Sequence, residues 1–241
     1  MLTLYQFPNS HYCEKVRWAL DYKHLDYRIK NLLPGLHDRT AKKLAGSSSL
    51  PILVHDGKAL QNSSDILTYL DDVFPQNALM PEQESLQQEV LAWEKFADEE
   101  IGIPIRLVFY HTLLEHPALL VALFTGNGPW YGAFLLKAFF PRLKAAMQSN
   151  MHINHKTAGA ANKRLGLAID KVYDRLRDNR FLVGDRFTRA DLSVAALLAP
   201  LCRPKKYGVD WPHPYPEPLE SLIAGYAEKI AWVDDIYSGY R

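Results

Sequence analysis

Hydrophobic and polar positions change their period near the start of the chain, where alternation gives way to a helical repeat. Residues 2–7 alternate between apolar and polar faces, which predicts a strand with one buried side. Pro8 and Asn9 break this alternation, and the spacing of residues 16–20 predicts the buried face of a helix. Asn9 or Ser10 can cap that helix, because a short side-chain oxygen accepts from the free N–H groups of the first turn.

Short elements separated by turn signals continue to about residue 75. The pattern predicts a strand at 26–31, a short helix at 39–44, a strand at 51–55, a hairpin partner at 58–61 and a helix that begins near 63. The order is βαβα followed by ββα. A crossover unit joined to a hairpin and a closing helix makes one small α/β domain.

The second half contains no strand pattern, and its apolar residues recur at helical spacing. Residues 74–81 contain two prolines and no period, which predicts a linker. The capping box Thr188-Arg-Ala-Asp191 predicts the start of an apolar helix, and residues 220–230 are expected to form the last helix. We therefore predict an α/β domain at 1–75, a linker at 76–85 and an all-helical domain at 86–241.

Breaks are predicted within the helical half at Pro104, Pro141 and the segment 126–129. The glycine-rich segment 126–132 follows no strand and is therefore not interpreted as a dinucleotide-binding loop. The aromatic-rich region 109–140 is expected to form core, a dimer contact or the wall of an apolar substrate pocket.

Composition is that of an ordinary soluble protein, with 48% hydrophobic and 23% charged residues among 241. A formal net charge of +1 provides no field for nucleic acid or an anionic membrane. Cys13 and Cys202 do not form a disulfide-rich pattern, so we expect a reducing, cytoplasmic location. We find no secretory signal, and the apolar runs at 118–124 and 131–140 are too short to span a bilayer.

The turn before the first helix is the strongest candidate site. It leaves unpaired N–H donors and a partial positive charge, which suit an anion. Ser10-His-Tyr-Cys13 has the spacing of a redox Cys-x-x-C turn whose exposed first cysteine is replaced by serine. The Ser10 hydroxyl can donate a hydrogen bond to the thiolate of another molecule, or it can serve only as a helix cap. Cys13 is predicted to be a buried small apolar side chain.

Two further turns carry weaker signals. The proline of Leu50-Pro51 suits a cis bond that exposes the Leu50 backbone to an extended peptide, although an ordinary strand-start proline explains it as well. Asn62-Ser63 opens a helix and is either a second anion site or a simple cap.

Taken together, these turns resemble the cytosolic glutathione transferases. The resemblance rests on Ser10-His-Tyr-Cys-Glu-Lys-Val-Arg-Trp-Ala-Leu20, Leu50-Pro-Ile-Leu53, Asp56-Gly57, Asn62-Ser63, Phe181-Leu-Val-Gly-Asp185 and Thr188-Arg-Ala-Asp-Leu192. It implies a thioredoxin-like N-terminal domain and an all-α C-terminal domain. It also implies glutathione as co-substrate, no metal, a small hydrophobic electrophile as second substrate, and a homodimer engaged in detoxification.

Several residue roles follow from this resemblance alone. Ser10 falls where the serine-type members, theta and zeta among them, have the catalytic hydroxyl. The resemblance implies that the Leu50 backbone pairs with the cysteinyl part of glutathione and that Pro51 is the family's cis-proline. It also implies that Asn62 and Ser63 bind the γ-glutamyl end and that His37 lies near the glycyl carboxylate.

Other interpretations stay open. The protein could be a glutathione-dependent thiol transferase that uses Cys13, or a non-catalytic binding module of the same fold. Tyr5 is a second candidate donor to the sulfur. His152 and His155 are interpreted as loop histidines, because no set of cysteines or carboxylates accompanies them. Residues 98–100 are interpreted as a solvated helix face.

Overall fold

The computed structural model describes residues 1–126 and 128–241. Its first part is a four-stranded sheet with three helices. The elements are β1 (Leu2–Gln6), α1 (His11–Tyr22), β2 (Tyr27–Asn31), α2 (His37–Ala45), β3 (Ile52–His55), β4 (Lys58–Gln61) and α3 (Ser63–Val73). The strand order is β2-β1-β3-β4, with β1 parallel to β2 and antiparallel to β3. This thioredoxin-like sheet confirms the predicted order of strands and helices.

The described residues after α3 form helices and connecting loops. The helices are α4 (Glu84–Phe96), a π-helical segment (Ala97–Gly102), α5 (Ile103–Leu113), α6 (Pro117–Thr125), α7 (Gly132–Asn150), α8 (His155–Leu176), α9 (Arg189–Cys202), α10 (Leu219–Ile230) and α11 (Trp232–Tyr240), with a short 3₁₀ turn at Lys205–Tyr207. The all-α second part is thus confirmed. Among the described residues, we find no helix that combines the length and apolar character needed to cross a bilayer.

Some predicted breaks in the helical part are wrong. Helix α7 continues through Pro141. Pro104 lies in the first turn of α5, directly after the π-helical segment, and the backbone stays helical through this junction. The predicted break at 126–129 includes Asn127, which lies outside the described residues. Helices α6 and α11 were not predicted.

Helix α1 is the central element that connects the sheet to the helices. It packs against α3 on one side and α9 on another. Trp18 is fully buried, and its indole N–H donates to the carbonyl oxygen of Tyr240 at 2.7 Å. The predicted capping box at the start of α9 is confirmed, because Asp191 accepts from the backbone N–H of Thr188 at 2.8 Å and from that of Leu182 at 2.8 Å. The Trp18 bond ties α1 to the end of the helical part, and the capping box fixes the start of α9, against which α1 packs.

A buried group of charges, which we call the interdomain ion cluster, ties α1 and α3 to α4 and α9. It consists of Lys15, Ser64, Glu94, Asp98 and Arg189. The Lys15 ammonium lies 3.0 Å from Glu94 and 2.7 Å from Asp98, and Arg189 lies 2.6 Å from Glu94. Ser64 Oγ lies 3.0 Å from an oxygen of each carboxylate, so its single proton can be donated to Glu94 or to Asp98. The interpretation of Asp98 as part of a solvated face is therefore wrong.

Candidate active site

Ser10, one of the two residues predicted to cap α1, is its N-cap. Its Oγ accepts from the backbone N–H of Cys13 at 3.4 Å, and its carbonyl oxygen accepts from the N–H of Glu14 at 2.9 Å. The Ser10 N–H donates to the carbonyl oxygen of Phe7 at 3.1 Å. Because Oγ accepts in its bond with the Cys13 N–H, this capping bond does not use the hydroxyl proton, which can be donated to an acceptor in the cavity.

The residues that follow Ser10 attach the start of α1 to the π-helical segment. His11 Nε2 lies 3.1 Å from the carbonyl oxygen of Gly102, and the Tyr12 hydroxyl donates to the carbonyl oxygen of Asp98 at 2.7 Å. Burial, assisted by the nearby charge of Arg106, lowers the pKa of His11 to about 3. The imidazole is therefore neutral and donates its ring N–H to Gly102. These two bonds hold the N-terminus of α1 against the helical part.

A cavity of about 420 Å³ opens beside Ser10, between the sheet and the helices. The wall on the sheet side, which we call the polar wall, includes Ser10, His37, Ser48 and Ser49, together with Leu50 and the apolar Phe7 and Pro34. The wall on the helical side is mainly apolar and includes Arg106, Tyr110, Phe124, Leu143, Met147 and Met151. The cavity therefore suits a molecule with a polar part at the sheet and an apolar part at the helices.

The loop before β3 shapes the polar wall. The Gln61 side-chain amide donates to the carbonyl oxygens of Ser47 at 3.1 Å and Ser49 at 2.6 Å, and the Ser47 hydroxyl donates to Gln61 Oε1 at 2.9 Å. The Leu50–Pro51 peptide that follows is cis, as expected. A side chain at the end of β4 thus holds the loop that brings Leu50 to the cavity.

His37 lies at the start of α2 and lines the same cavity. Its ring packs edge-on against Phe7, with the ring centroids 4.7 Å apart. Burial lowers the pKa of His37, and Asp38, whose carboxylate lies 3.2 Å from Nε2, only partly offsets this effect. A largely neutral imidazole at this position can donate a hydrogen bond without a permanent charge.

Pro51, Asn62 and Ser63 are not among the described residues that line the cavity. Asn62 is the N-cap of α3, and its Oδ1 accepts from the N–H of Ser64 at 3.0 Å. Ser63 is buried. The register of β3 and β4 pairs Ile52 with Gln61, so Pro51 and Asn62 lie at the same end of the hairpin. Their part in binding stays a prediction.

The two competing candidates for sulfur chemistry lie outside the cavity. Cys13 is fully buried, and burial raises the pKa of its thiol, although the Ser10 side chain partly offsets the rise. This confirms Cys13 as a buried side chain. Tyr5 does not line the cavity, and its hydroxyl accepts from Lys30 at 3.2 Å. Among the described residues, no group of three or more His, Cys, Asp and Glu side chains could hold a metal ion.

Sequence reasoning missed several residues of the cavity, notably Ser48, Ser49, Arg106 and Tyr110. The serine run before Leu50 was interpreted only as a loop. Arg106 had a usable signal, because it is the single charged residue of the otherwise apolar segment Ile-Pro-Ile-Arg-Leu-Val-Phe. The predicted apolar wall from the region 109–140 is found at Tyr110 and Phe124.

Family models match both parts of the chain. Residues 4–78 match the model described as glutathione S-transferase, N-terminal domain, and residues 133–217 match the model described as glutathione S-transferase, C-terminal domain. Together with the thioredoxin-like sheet, the helical part and the cavity at Ser10, these matches define the class. The chain belongs to the cytosolic glutathione transferase superfamily.

Curated relatives match this chain over short segments. Glutathione S-transferase U4 from Arabidopsis thaliana is 38% identical over 53 residues, which are 22% of this chain and 24% of that protein. Protein LigF from Sphingobium sp. is 38% identical over 65 residues, or 26% of this chain and 25% of that one. The matched segment thus spans about a quarter of the length of either curated relative.

Solved structures extend the likeness to the whole fold. A glutathione S-transferase from Rhodospirillum rubrum superposes with a TM-score of 0.67 at 19% identity, covering 99% of this chain and 88% of that one. The beta-etherase LigF from Sphingobium sp. superposes with a TM-score of 0.66 at 20% identity, covering 98% of both chains. At these identities the likeness shows a shared fold.

Proposed function

We propose that the protein is a glutathione S-transferase that joins the sulfur of glutathione to an electrophilic carbon of a small hydrophobic substrate. The observation that carries the proposal is the meeting of Ser10, Leu50 and His37 in one cavity whose opposite wall is apolar. The polar wall suits a tripeptide, and the apolar wall suits the second substrate. The cavity thus has room for both reactants side by side.

The proposed role of Ser10 is to stabilise the glutathione thiolate. A free thiol has a pKa of about 8.5, and lowering it by roughly two units needs about 2.7 kcal/mol of selective stabilisation. A hydrogen bond to a charged group supplies about 1.5–3 kcal/mol, and the N-terminus of a helix adds about 0.3–1 kcal/mol. The Ser10 hydroxyl and α1 therefore suffice in magnitude without a general base.

The remaining glutathione contacts follow the polar wall. We propose that the Leu50 backbone pairs with the cysteinyl residue and that neutral His37 donates to the glycyl carboxylate. Asn62 and Ser63, with Pro51 beside them, are proposed to bind the γ-glutamyl end, which would then extend beyond the cavity along the end of the hairpin. This orientation is supported by the β3–β4 register, because Ile52 pairs with Gln61 and the adjacent Pro51 and Asn62 therefore lie at the same end of the hairpin.

A thiol transferase that uses Cys13 is less well supported. A reactive cysteine needs exposure and a low pKa, whereas Cys13 is fully buried and burial raises its pKa. In addition, Cys13 is not among the residues that line the cavity. A buried thiol of this kind behaves as a small apolar side chain.

Retention on immobilised glutathione, together with turnover of a neutral aryl halide, tests the proposed function. We expect the wild-type chain to be retained and to turn over, and Ser10→Ala to bind glutathione while losing well over tenfold in rate. The matched control is Ser221→Ala, which removes a hydroxyl at an exposed position of α10. A folded wild-type protein with neither retention nor turnover would instead be the non-catalytic module.

We also propose that the protein forms a homodimer in the cytoplasm. Apolar side chains of the helical part are exposed, with Leu91 on α4 and Leu167 on α8 accessible to 45% and 72%. Sedimentation velocity tests the proposal: a species of twice the chain mass is expected, and a monomer across the micromolar range would contradict it.

A further inference from the structure

Arg106, on α5, is the one permanently cationic side chain among the described residues that line the cavity. Its Nε is buried and has no hydrogen-bond partner, and no ion pair joins its guanidinium to any residue that the structure describes. A buried donor without a partner is costly. The arrangement is therefore that of a group whose partner arrives from outside the chain.

Two carboxylates in this part of the molecule, Asp38 and Asp98, have other partners. Asp38, the carboxylate among the described lining residues, lies 3.2 Å from His37 on the sheet-side wall. Asp98 is bound by Lys15 at 2.7 Å within the interdomain ion cluster. The positive charge of Arg106 contributes to the lowered pKa of buried His11, which is neutral and cannot balance that charge.

The surroundings of Arg106 indicate the shape of its missing partner. Tyr110, Phe124, Leu143 and Met147 share the helical-side wall with it, and Ser10 lies on the opposite, polar wall. An anion held by Arg106 must therefore belong to a largely apolar molecule that faces the proposed sulfur position. The planar fork of a guanidinium matches a carboxylate in two parallel hydrogen bonds.

We propose that Arg106 selects electrophiles that carry a carboxylate on an apolar or aromatic body. This inference rests on the proposed function, because it assigns the second substrate of the same cavity. In the reaction, the glutathione sulfur forms a bond to the electrophilic carbon, the bond to the leaving group breaks with its electron pair, and the thiol proton passes to solvent. Arg106 holds the carboxylate and takes no part in the bond changes.

A matched pair of aryl chlorides tests the proposal. 4-Chloro-3,5-dinitrobenzoate carries the carboxylate, and 4-chloro-3,5-dinitrobenzamide is its neutral counterpart. We expect kcat/KM for the acid to exceed that for the amide after correction for their rates with free glutathione. Arg106→Gln should lower the acid-to-amide ratio by roughly 10- to 150-fold, the range for a hydrogen bond to a charged group, mainly through KM for the acid.

Two further variants separate charge from geometry and from a general loss of structure. Arg106→Lys keeps the charge without the fork and should retain part of the preference. Arg177→Gln removes an arginine at an exposed position beyond the end of α8 and should leave the ratio unchanged. Turnover of the amide by Arg106→Gln reports whether that variant is folded, and Arg106→Lys carries the test if it is not.

The outcomes are distinct. An unchanged acid-to-amide ratio in Arg106→Gln overturns the inference and leaves the proposed function standing. An equal loss for both substrates, with a raised pKa in the pH–rate profile, assigns the Arg106 charge to the sulfur and also overturns the inference. A folded wild-type protein that binds no glutathione and turns over neither substrate overturns the proposed function, and this inference with it.

Discussion

Replacing Ser10 by glycine separates the two roles that its side chain has at the start of α1. Glycine at an N-cap costs only a few tenths of a kcal/mol relative to serine, whereas alanine costs about 0.5–2 kcal/mol. Ser10→Gly therefore removes the hydroxyl and keeps most of the cap. The bonds from His11 and Tyr12 to the π-helical segment remain in either variant, so the start of α1 should stay in place.

The expected size of the effect follows from the single hydrogen bond that is lost. A bond to a charged acceptor contributes about 1.5–3 kcal/mol, and one pKa unit corresponds to about 1.4 kcal/mol. The pKa of bound glutathione should therefore rise by about one to two units in Ser10→Gly. At a pH below both pKa values, the thiolate fraction and the rate should fall by roughly 10- to 150-fold.

The assay is the ultraviolet absorbance of the thiolate in the binary complex, followed against pH, with kcat/KM for a neutral aryl chloride measured in parallel. Glutathione affinity and the melting temperature show that each variant is loaded and folded. Ser10→Thr keeps a hydroxyl and should restore part of the effect. If bound glutathione titrates at the same pKa in Ser10→Gly and wild type, Ser10 does not stabilise the thiolate.

Two other predictions concern how α1 is held. In Gly102→Ala the added Cβ would lie 2.4 Å from the Tyr12 hydroxyl oxygen, so we expect denaturant titrations to show a loss of about 1–3 kcal/mol in the free energy of unfolding. Gly159→Ala is the control: its Cβ meets nothing within 4 Å, so the substitution should be neutral or stabilising. The pKa of His11 is about 3 in the folded chain against an ordinary 6.5, so between these pH values the unfolded chain binds a proton that the folded chain does not. As pH falls from 6.5 toward 3, the free energy of unfolding should therefore decrease by up to about 1.4 kcal/mol per pH unit. His11→Gln should flatten this part of the stability–pH curve, and an unchanged slope would contradict the assignment.

Much of the fold could be predicted from signals that lie within a few residues of one another in the sequence. The alternation in β1, the serine cap of α1 and the capping box at Thr188 and Asp191 each reflect contacts within a few residues, and each is confirmed. Helix α6 has an apolar run without a clear period, and α11 follows α10 with a single intervening residue, so neither offered a boundary. Arg241 follows this last helix and forms an ion pair with Glu14 at 2.8 Å, a contact between residues far apart in sequence.

The candidate site was less predictable, because it is built across the two parts of the chain. Ser10, Leu50 and His37 were found through turns and resemblance, and they lie in one cavity. Arg106 comes from a helix whose local pattern predicts only burial, and its place in the cavity opposite Ser10 depends on how the helical part packs against the sheet. The same reason explains Asp98, whose partner Lys15 lies 83 residues away.

A crystal structure of the wild-type protein with glutathione bound would show where the glutathione sulfur lies. We expect this sulfur within hydrogen-bond distance of Ser10 Oγ, facing the apolar wall formed by α5, α6 and α7. Glutathione bound elsewhere, or with its sulfur turned away from Ser10, would show that Ser10 does not stabilise the thiolate.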